Sequence, residues 1–425
     1  MPRRDQVDSV SLAALLIVVV LATLVFFLPR SLTAVAGRDA WLAVLVNTPV
    51  VALVLGAWYA FYLRPGLTPL DRLRGHPWAR WLLLPVLVAY ALYHAGGILG
   101  ETVMLMVVVY AETPVWAFHG TLALTAWVLA AYGRETLARV GLMVLPVMVA
   151  ALFVNLAILL PGNAEWAQLL PLLEHGPAPL VRGAGVMAAA AAETLLLAYF
   201  ADGLASRDRR VRPLVLAAAG MIALLAGVTA ACVAVLGPGE TTRAVAPTFV
   251  LARLARPVPV LSRPEIFTIS AWLLGIALKL ALFVYVAGVT LRVTLGLTER
   301  RQGLVHGAVT AAAVAVAFWL FPDTQRWEWQ FTRVWPLVGW AGLAAGTVAG
   351  LLPVDPRRRG DGSPSPPAPG RSAVDEVPAA ANGGSPGIDP AVGSRSGRTL
   401  RPPTDGGRGA MSVRAAGAPE EAVTT

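Results

Sequence analysis

The chain alternates long apolar stretches with short polar ones. A helix that crosses a membrane needs roughly 20 consecutive apolar residues, and ten stretches come close to that length. The pattern therefore predicts an all-α polytopic membrane protein with ten transmembrane helices, called spans 1 to 10 below. Their predicted bounds are about 11–35, 40–63, 80–109, 115–133, 138–160, 183–204, 213–236, 266–291, 303–321 and 332–353.

Arginines mark one side of the predicted membrane. Cytoplasmic connections carry an excess of basic residues, and here every second connection is rich in arginine, which predicts that both termini are cytoplasmic. The arginines on that side are Arg3, Arg4, Arg64, Arg72, Arg74, Arg80, Arg134, Arg139, Arg207, Arg209, Arg210, Arg212, Arg292, Arg300, Arg301, Arg357, Arg358 and Arg359. Aromatic residues near span ends predict an interfacial belt, which includes Trp41, Trp58, Trp327, Trp329 and Trp335.

The chain changes character near residue 354. Residues 354–425 are rich in Pro, Gly, Ser and Ala and have few large apolar residues, so they cannot bury enough surface to offset the entropy of ordering. We therefore predict two regions. Residues 1–353 form a permease-like membrane domain with halves at about 11–160 and 183–353, and residues 354–425 form a disordered cytoplasmic tail.

Two predicted outer connections are long. The first, at about 161–182, contains LLPLLEHG and has room for a short helix. The second, at about 237–265, places Val245, Phe249 and Ala252 at helical spacing, while Arg253 and Arg256 are polar. This pattern predicts a short amphipathic helix on the outer face. Its role is open between a lid and a structural cover.

Composition supports the membrane assignment and narrows the function. Hydrophobic residues make up 56% of the chain and charged residues 14%, against about 25% charged residues in soluble domains. The net charge of +9 does not indicate nucleic-acid binding, because the arginines lie in short connections between spans. The single cysteine, Cys232, excludes an intrachain disulfide. We expect no metal, no cofactor and no enzymatic activity, since no metal-ligand or nucleophile–base pattern occurs.

Few ionisable residues fall inside the predicted spans, and Lys279 is the only lysine in the chain. A composition that otherwise uses arginine suggests that this position needs a compact ammonium group. Buried charges must pair, and we expect Lys279 to pair with Glu193 first and with Glu101 second. If both carboxylates lie near it, one stays protonated, which would permit proton coupling. The alternative is an ion pair that only locks two helices together.

Span 1 contains Pro29, followed by Ser31 and Thr33. Proline removes a helical hydrogen bond, and backbone groups freed at membrane depth are tolerated where they line a cavity. We expect a break here, with a simple kink as the alternative. Ten spans divide into halves of five that run in opposite directions, an inverted repeat. Spans 1 and 6 are then equivalent, as are spans 3 and 8. Span 3 carries His94 and Glu101, and span 8 carries Lys279.

Five strings along residues 1–350 resemble one known family, the spore germination permeases. These are the B subunits of GerA-type nutrient germinant receptors, within the amino acid–polyamine–organocation superfamily. The strings are LPRSLTAVAGRDAW at 28–41, GRETLARVG at 133–141, LLPLLEHG at 169–176, LGPGETTRAVAPTFVLARLA at 236–255 and SRPEIFTISAWLLGIALKLALFVY at 262–285. The last two are the most specific. The resemblance implies a LeuT-type fold with a 5+5 inverted repeat.

The resemblance also implies a function. A germinant-sensing subunit would bind a small nutrient, typically an amino acid, at the membrane midplane and trigger spore germination. Its partners would be A-type and C-type receptor subunits and the lipid bilayer, in the spore inner membrane or the cell membrane. The expected ligand-binding residues are Thr23, Val25, Phe26, Phe27, Tyr93, Glu101, Ala192 and Glu193. Lys279, with Glu193, Glu101 and His94, would replace a coupling ion or carry protons.

One departure and two alternatives remain. Family members usually carry aromatic, proline and glycine residues before the span 6 glutamate, whereas this chain has alanines from Ala188 to Ala192. Span 6 is then either continuous or unwound at Gly183 and Gly185. The first alternative function is a proton-coupled amino acid permease. The second is a scaffold that only holds the partner subunits.

Overall fold

The structure, a computed structural model, describes residues 6–255 and 265–353. It has helices at all ten predicted positions. Their bounds are α1 Ser9–Ala36, α2 Ala40–Val46, α3 Thr48–Trp58, α4 Pro69–Leu73, α5 Pro77–Val109, α6 Val115–Ala131, α7 Arg134–Asn163, α8 Ala178–Ala190, α9 Val211–Arg243, α10 Pro247–Leu254, α11 Glu265–Thr294, α12 Gln302–Leu320, α13 Thr324–Trp329 and α14 Trp335–Leu351. The predicted disordered tail and Arg256 lie outside the described residues.

Several predicted spans combine helices of different kinds. Two five-residue π-helical turns, Tyr59–Leu63 and Gln330–Val334, continue α3 and join α13 to α14. Eight helical stretches in the described ranges are long and apolar enough to cross a membrane. The first, Ser9–Leu63, is 55 residues long and covers predicted spans 1 and 2, and Val115–Ala131 is shorter. The multi-pass membrane class is confirmed, and the count of ten crossings stays a prediction.

Helices α1 and α11 form the centre of the bundle. Helix α1 packs against α7, α9 and α11, while α11 also packs against α5, α6 and α12. Both are buried along most of their length, which explains why their sequences are apolar on every side. Small residues allow close contact, as in membrane bundles. A side chain at Gly275 of α11, for example, would meet the Met148 sulfur at 2.6 Å.

The predicted break in span 1 is wrong. Helix α1 runs unbroken from Ser9 to Ala36 through Pro29. Because proline has no N–H, the carbonyl of Val25 has no donor within the helix. The Thr248 hydroxyl of α10 donates to that carbonyl at 2.5 Å. The Thr248 side chain thus supplies the hydrogen bond that the Val25 carbonyl cannot obtain within α1, and the helix continues without a break.

Span 6 changes helix type near its middle. Helix α8 ends at Ala190 and continues as a 13-residue 3-10 helix, Ala191–Gly203, called the 3-10 segment below. Such runs rarely exceed three or four residues. Gly183 and Gly185 lie inside α8, so the helix does not unwind at either glycine. At the far end of the segment, the Val7 N–H donates to the Gly203 carbonyl at 3.0 Å, within the one β-bridge of the described chain, Val7 to Leu204.

The two long connections that are predicted to face outward contain short ordered elements. The first holds a 3-10 turn, Trp166–Leu169, and its Leu173 N–H donates to the Asp39 carboxylate at 3.0 and 3.1 Å. The second contains the predicted amphipathic helix, α10. Its apolar residues Phe249 and Ala252 are buried, and Arg253 is exposed. Since α10 packs against α1, α7, α9 and α11, it covers the bundle.

Candidate functional site

A buried ion pair joins α11 to the 3-10 segment. The Lys279 ammonium donates to Oε1 of Glu193 at 3.0 Å and lies 2.9 Å from Oε2. Each side chain is 1% exposed. The first of the two predicted pairings is therefore the one that forms. The start of the 3-10 segment at Ala191 places Glu193 one turn from the change in helix type.

Thr23 of α1 links this ion pair to the second carboxylate. Its hydroxyl oxygen accepts a hydrogen bond from the Lys279 ammonium at 2.8 Å and donates one to Oε1 of Glu101 at 3.1 Å. Glu101, from α5, is 2% exposed. A continuous polar chain, Glu193–Lys279–Thr23–Glu101, thus crosses the bundle and involves spans 1, 3, 6 and 8.

The polar chain has two carboxyl groups and one ammonium. Within residues 6–255 and 265–353, no cation lies within 4.0 Å of the Glu101 carboxyl group. Its hydrogen-bond partner is the Thr23 hydroxyl. An uncompensated charge is costly in a buried site. The four residues of the polar chain are together electrically neutral when Glu101 holds a proton. This arrangement gives the site a group that can gain or lose a proton without breaking the ion pair.

A small cavity lies beside the polar chain. This central cavity has a free volume of about 30 Å³, room for one or two water molecules. Thr23, Glu101, Glu193 and Lys279 form its polar side. Aromatic residues also line it and include Trp327, Phe331 and Trp335. The cavity has to expand before it can accept a ligand the size of an amino acid.

His94 lines the central cavity without joining the polar chain. Its Nδ1 donates to the Tyr90 carbonyl at 2.8 Å. Its ring stacks on Phe283, with the ring centres 5.0 Å apart and the planes 10° from parallel. The histidine therefore acts as a wall of the cavity.

A larger cavity lies next to the central one. This outer cavity has a volume of about 260 Å³ and shares Trp327 and Phe331 with the central cavity. The two rings stack, with centres 4.8 Å apart, so they form a partition between the two spaces. Arg30 of α1 and Glu328 of α13 also line the outer cavity, and an ion pair joins them at 2.5 Å.

The predicted site residues fall into four groups. Six line the central cavity, namely Thr23, Tyr93, His94, Glu101, Glu193 and Lys279. Phe27 lines the outer cavity. Val25 and Phe26 line a third, very small cavity beside Trp272, and buried Ala192 lines none of the cavities described here. Because α1 is unbroken, its predicted site residues, from Thr23 to Phe27, point in different directions around the helix instead of surrounding one pocket.

Of the aromatic residues that line the central cavity, Tyr93 was predicted from the sequence, and Trp327, Phe331 and Trp335 were not. Trp327 and Trp335, predicted for an interfacial belt, are 5% and 7% exposed. With Phe331 they occur at intervals of four residues, which places them along one helix face. That spacing was the available signal for an aromatic wall. Trp329, which lies outside this spacing, is exposed.

Comparisons with known proteins agree with this architecture. The family model for spore germination proteins matches residues 6–326. Spore germination protein XB of Bacillus anthracis is 21% identical over 262 residues, which cover 61% of this chain and 73% of that protein. The crystal structure of MhsT in complex with L-phenylalanine matches with a TM-score of 0.54 at 14% identity, over 82% of this chain and 93% of MhsT. The likeness to MhsT shows the LeuT-type fold.

Proposed function

The chain belongs to the spore germination protein family, and we propose that it is the ligand-sensing membrane subunit of a spore nutrient receptor. Family and fold are of the permease type. The observation that carries the proposal is the set of buried, hydrogen-bonded residues Glu193, Lys279, Thr23 and Glu101 beside a small cavity. Predicted spans 1, 3, 6 and 8 each contribute one of these four residues, so a ligand that enters the cavity can act on all four spans.

The proposed ligand is a small nutrient with an ammonium group, such as an amino acid. Glu101 supports this class, because it is a buried carboxyl group whose recorded partner is a hydroxyl and not a cation. A ligand ammonium can take the place of the proton on Glu101. The aromatic side of the cavity, with Trp327 and Phe331, suits an apolar ligand side chain. MhsT, which shares the fold, was crystallised with L-phenylalanine.

Ligand entry provides the proposed trigger. The central cavity must grow beyond about 30 Å³, and the partition of Trp327 and Phe331 is the part of its wall that faces a larger space. Movement of this partition displaces α13 and α14. We propose that A-type and C-type receptor subunits in the spore inner membrane detect that movement and start germination.

Lys279 takes the part of a permanently bound cation in this proposal. Its ammonium bridges α11 to α1 through Thr23 and to the 3-10 segment through Glu193. A fixed positive charge between these elements removes the need for a sodium ion. Ligand binding should therefore be independent of sodium.

The test is a thermal-shift screen of the purified full chain against single amino acids and sugars, in sodium and in choline buffers. We expect one amino acid to raise the melting temperature equally in both buffers and to lose its effect in Glu101→Gln. Glu240→Gln is the matched control, because Glu240 is 61% exposed at the end of α9. Failure of every ligand, or a strict sodium requirement, would contradict the proposal.

A second candidate is a proton-coupled amino acid permease. The specific observation in its favour is again Glu101, whose proton can be exchanged without breaking the Lys279–Glu193 pair. In proteoliposomes, a permease would take up a radiolabelled amino acid, and collapse of the proton gradient would stop the uptake. A sensor would bind the same ligand and show no uptake above that of empty liposomes.

A further inference from the structure

An apolar groove lies on the outside of the bundle, between α3 and α9. This lateral groove has a volume of about 190 Å³. Its walls are formed by residues between Thr48 and Tyr59 and between Val211 and Ile222. Several of the lining residues are exposed, among them Gly56, Val215 and Ala219. The proposed sensing mechanism uses none of these residues.

The lateral groove offers no unpaired polar side chain to a water-soluble ligand. Among the described residues that line it, Thr48 and Tyr59 carry the hydroxyl groups, and the others are apolar. The Thr48 hydroxyl donates to the Leu45 carbonyl at 2.6 Å, and the Tyr59 hydroxyl donates to the Arg209 carbonyl at 3.0 Å. An exposed apolar surface marks a contact with a membrane or a partner, and this one lies on two predicted spans.

The length of the lateral groove matches one leaflet of a membrane. Thr48 and Tyr59 are 11 positions apart, as are Val211 and Ile222. At about 1.5 Å per residue each wall is roughly 16 Å long, and half of a hydrocarbon core of roughly 30 Å is about 15 Å. Tyr59 and Val211 lie at the predicted cytoplasmic ends of spans 2 and 7. The groove therefore covers the depth that a lipid acyl chain occupies in the cytoplasmic leaflet.

Two arginine-bearing connections meet at that end of the groove. The Arg64 N–H donates to the Tyr59 carbonyl at 2.8 Å, and the Arg209 guanidinium donates to the Arg64 carbonyl at 3.3 Å. The connection before α9, residues 205–212, contains one acidic residue, Asp208, and the four arginines Arg207, Arg209, Arg210 and Arg212. With Arg64, five arginines thus face one carboxylate, which leaves an excess of positive charge beside the apolar groove.

Arg64 and Arg212 are the arginines of this cluster that are available to a headgroup. Both are exposed, and neither side chain forms an ion pair or hydrogen bond within the described ranges. Arg207 lies 3.5 Å from the Asp208 carboxylate, and Arg210 donates to the Arg207 carbonyl at 3.3 Å. Arginine clusters at the cytoplasmic ends of spans attract anionic lipid headgroups. Charge and apolar surface therefore indicate the same kind of occupant.

We propose that the lateral groove binds an anionic phospholipid, with an acyl chain between α3 and α9 and the headgroup phosphate at Arg64 and Arg212. Such a lipid joins predicted spans 2 and 7, which belong to different halves of the repeat. It also supports the helix next to the ion pair, because Trp58 at the end of α3 donates to the Thr194 hydroxyl at 2.8 Å. Thr194 directly follows Glu193.

The test is native mass spectrometry of the full chain in neutral detergent, with phosphatidylglycerol or phosphatidylcholine of the same acyl chains. We expect the wild type to bind phosphatidylglycerol at least several-fold more tightly than phosphatidylcholine. Arg64→Gln with Arg212→Gln should weaken phosphatidylglycerol binding about tenfold or more. Arg300→Gln with Arg301→Gln is the matched control, since it removes the same charge from an exposed connection before α12, and it should bind as the wild type does.

Gly56→Leu tests the acyl chain separately. Nothing lies within 4 Å of a side chain added at Gly56, so the leucine enters the groove without disturbing the protein. It should weaken binding of both lipids at least several-fold. Gly120→Leu, at an equally open position of α6, is the control and should bind lipid as the wild type does. Ala219→Leu fills the groove from α9 and keeps the test informative if Gly56→Leu does not fold.

Three results would overturn the lipid assignment. The first is equal binding of the two lipids by the wild type, and the second is wild-type binding of phosphatidylglycerol by both Gly56→Leu and Ala219→Leu. The third is displacement of phosphatidylglycerol by an equal concentration of glycerol phosphate, which carries the headgroup charge without acyl chains. If a second copy of the chain fills the groove instead, the spectra should show a dimer that Gly56→Leu dissociates, and the proposal is then wrong.

Discussion

At the scale of single residues, Lys279 is a buried charge held by specific partners. Its ammonium has oxygen atoms of Glu193 and Thr23 within 2.8–3.0 Å. Breaking a buried pair by removing one partner costs about 3–5 kcal/mol. Lys279→Met should therefore destabilise the protein by that order, and Lys279→Arg should do so as well, because the guanidinium is larger than this space.

The matched control is the double variant Lys279→Met with Glu193→Gln, which leaves no charge uncompensated at the pair. We expect it to be more stable than Lys279→Met alone by about 2 kcal/mol or more. Unfolding in detergent, followed by circular dichroism, measures both differences. Wild-type stability of Lys279→Arg would show that the site needs a positive charge of any shape.

The polar residues of the central cavity could be predicted from the sequence, as could Tyr93, but most of its aromatic residues could not. Lys279, Glu193 and Glu101 stand out because an ionisable residue in an apolar stretch is costly unless it is paired. Trp327 and Phe331 do not stand out, because aromatic residues are equally common at membrane interfaces. Which face of their helix points inward depends on packing against other spans.

At the scale of elements, α10 and α1 are joined where Pro29 leaves the Val25 carbonyl without a helical donor. Thr248→Val keeps the shape of the side chain and removes the hydroxyl that fills this role. A buried polar group without a partner costs about 1–3 kcal/mol, so we expect a loss of that size. Hydrogen exchange in α10 should also accelerate.

Thr248→Ser retains the hydroxyl and serves as the control for that experiment. It should keep the exchange rate of α10 close to that of the wild type. Slow exchange in Thr248→Val would mean that the apolar contacts of α10, such as Phe249, hold it in place without the hydrogen bond.

Close contact between α14 and α8 depends on Gly339. An added side chain there would lie 2.8 Å from the backbone carbonyl of Ala189, which cannot move aside without shifting α8. Gly339→Ala should therefore destabilise the protein by about 1–3 kcal/mol. Gly220→Ala is the control, since nothing lies within 4 Å of that position, and it should be neutral or stabilising. Equal melting temperatures of the two variants would contradict the close contact.

The types of helix were harder to predict than their positions. Apolar length alone located the helices of all ten predicted spans. Pro29 predicted a break, and the structure has an unbroken helix because the compensating donor, Thr248, lies more than 200 residues away. Span 6 was predicted to be either continuous or unwound at Gly183 and Gly185, yet the helix changes type at Ala191, among the alanines. Both outcomes depend on neighbouring elements that local sequence does not contain.

At the scale of the whole molecule, the order of the spans fixes which connections share a side of the membrane. Five predicted spans precede Ala167 and eight precede Thr298, so the two residues should lie on opposite sides. The arginines beside Thr298 predict that it lies on the cytoplasmic side. Both positions are exposed, and the only cysteine of the chain, Cys232, is buried.

Single cysteines can therefore test this arrangement. In a Cys232→Ser background, a membrane-impermeant maleimide added to intact cells should label Ala167→Cys and leave Thr298→Cys unlabelled. Permeabilised cells should label both, which controls for reactivity. Labelling of both positions from outside would require an even number of crossings between them and would contradict the predicted order of spans 6 to 8. In that order, the ion pair of Glu193 and Lys279 joins two spans that run in the same direction, spans 6 and 8.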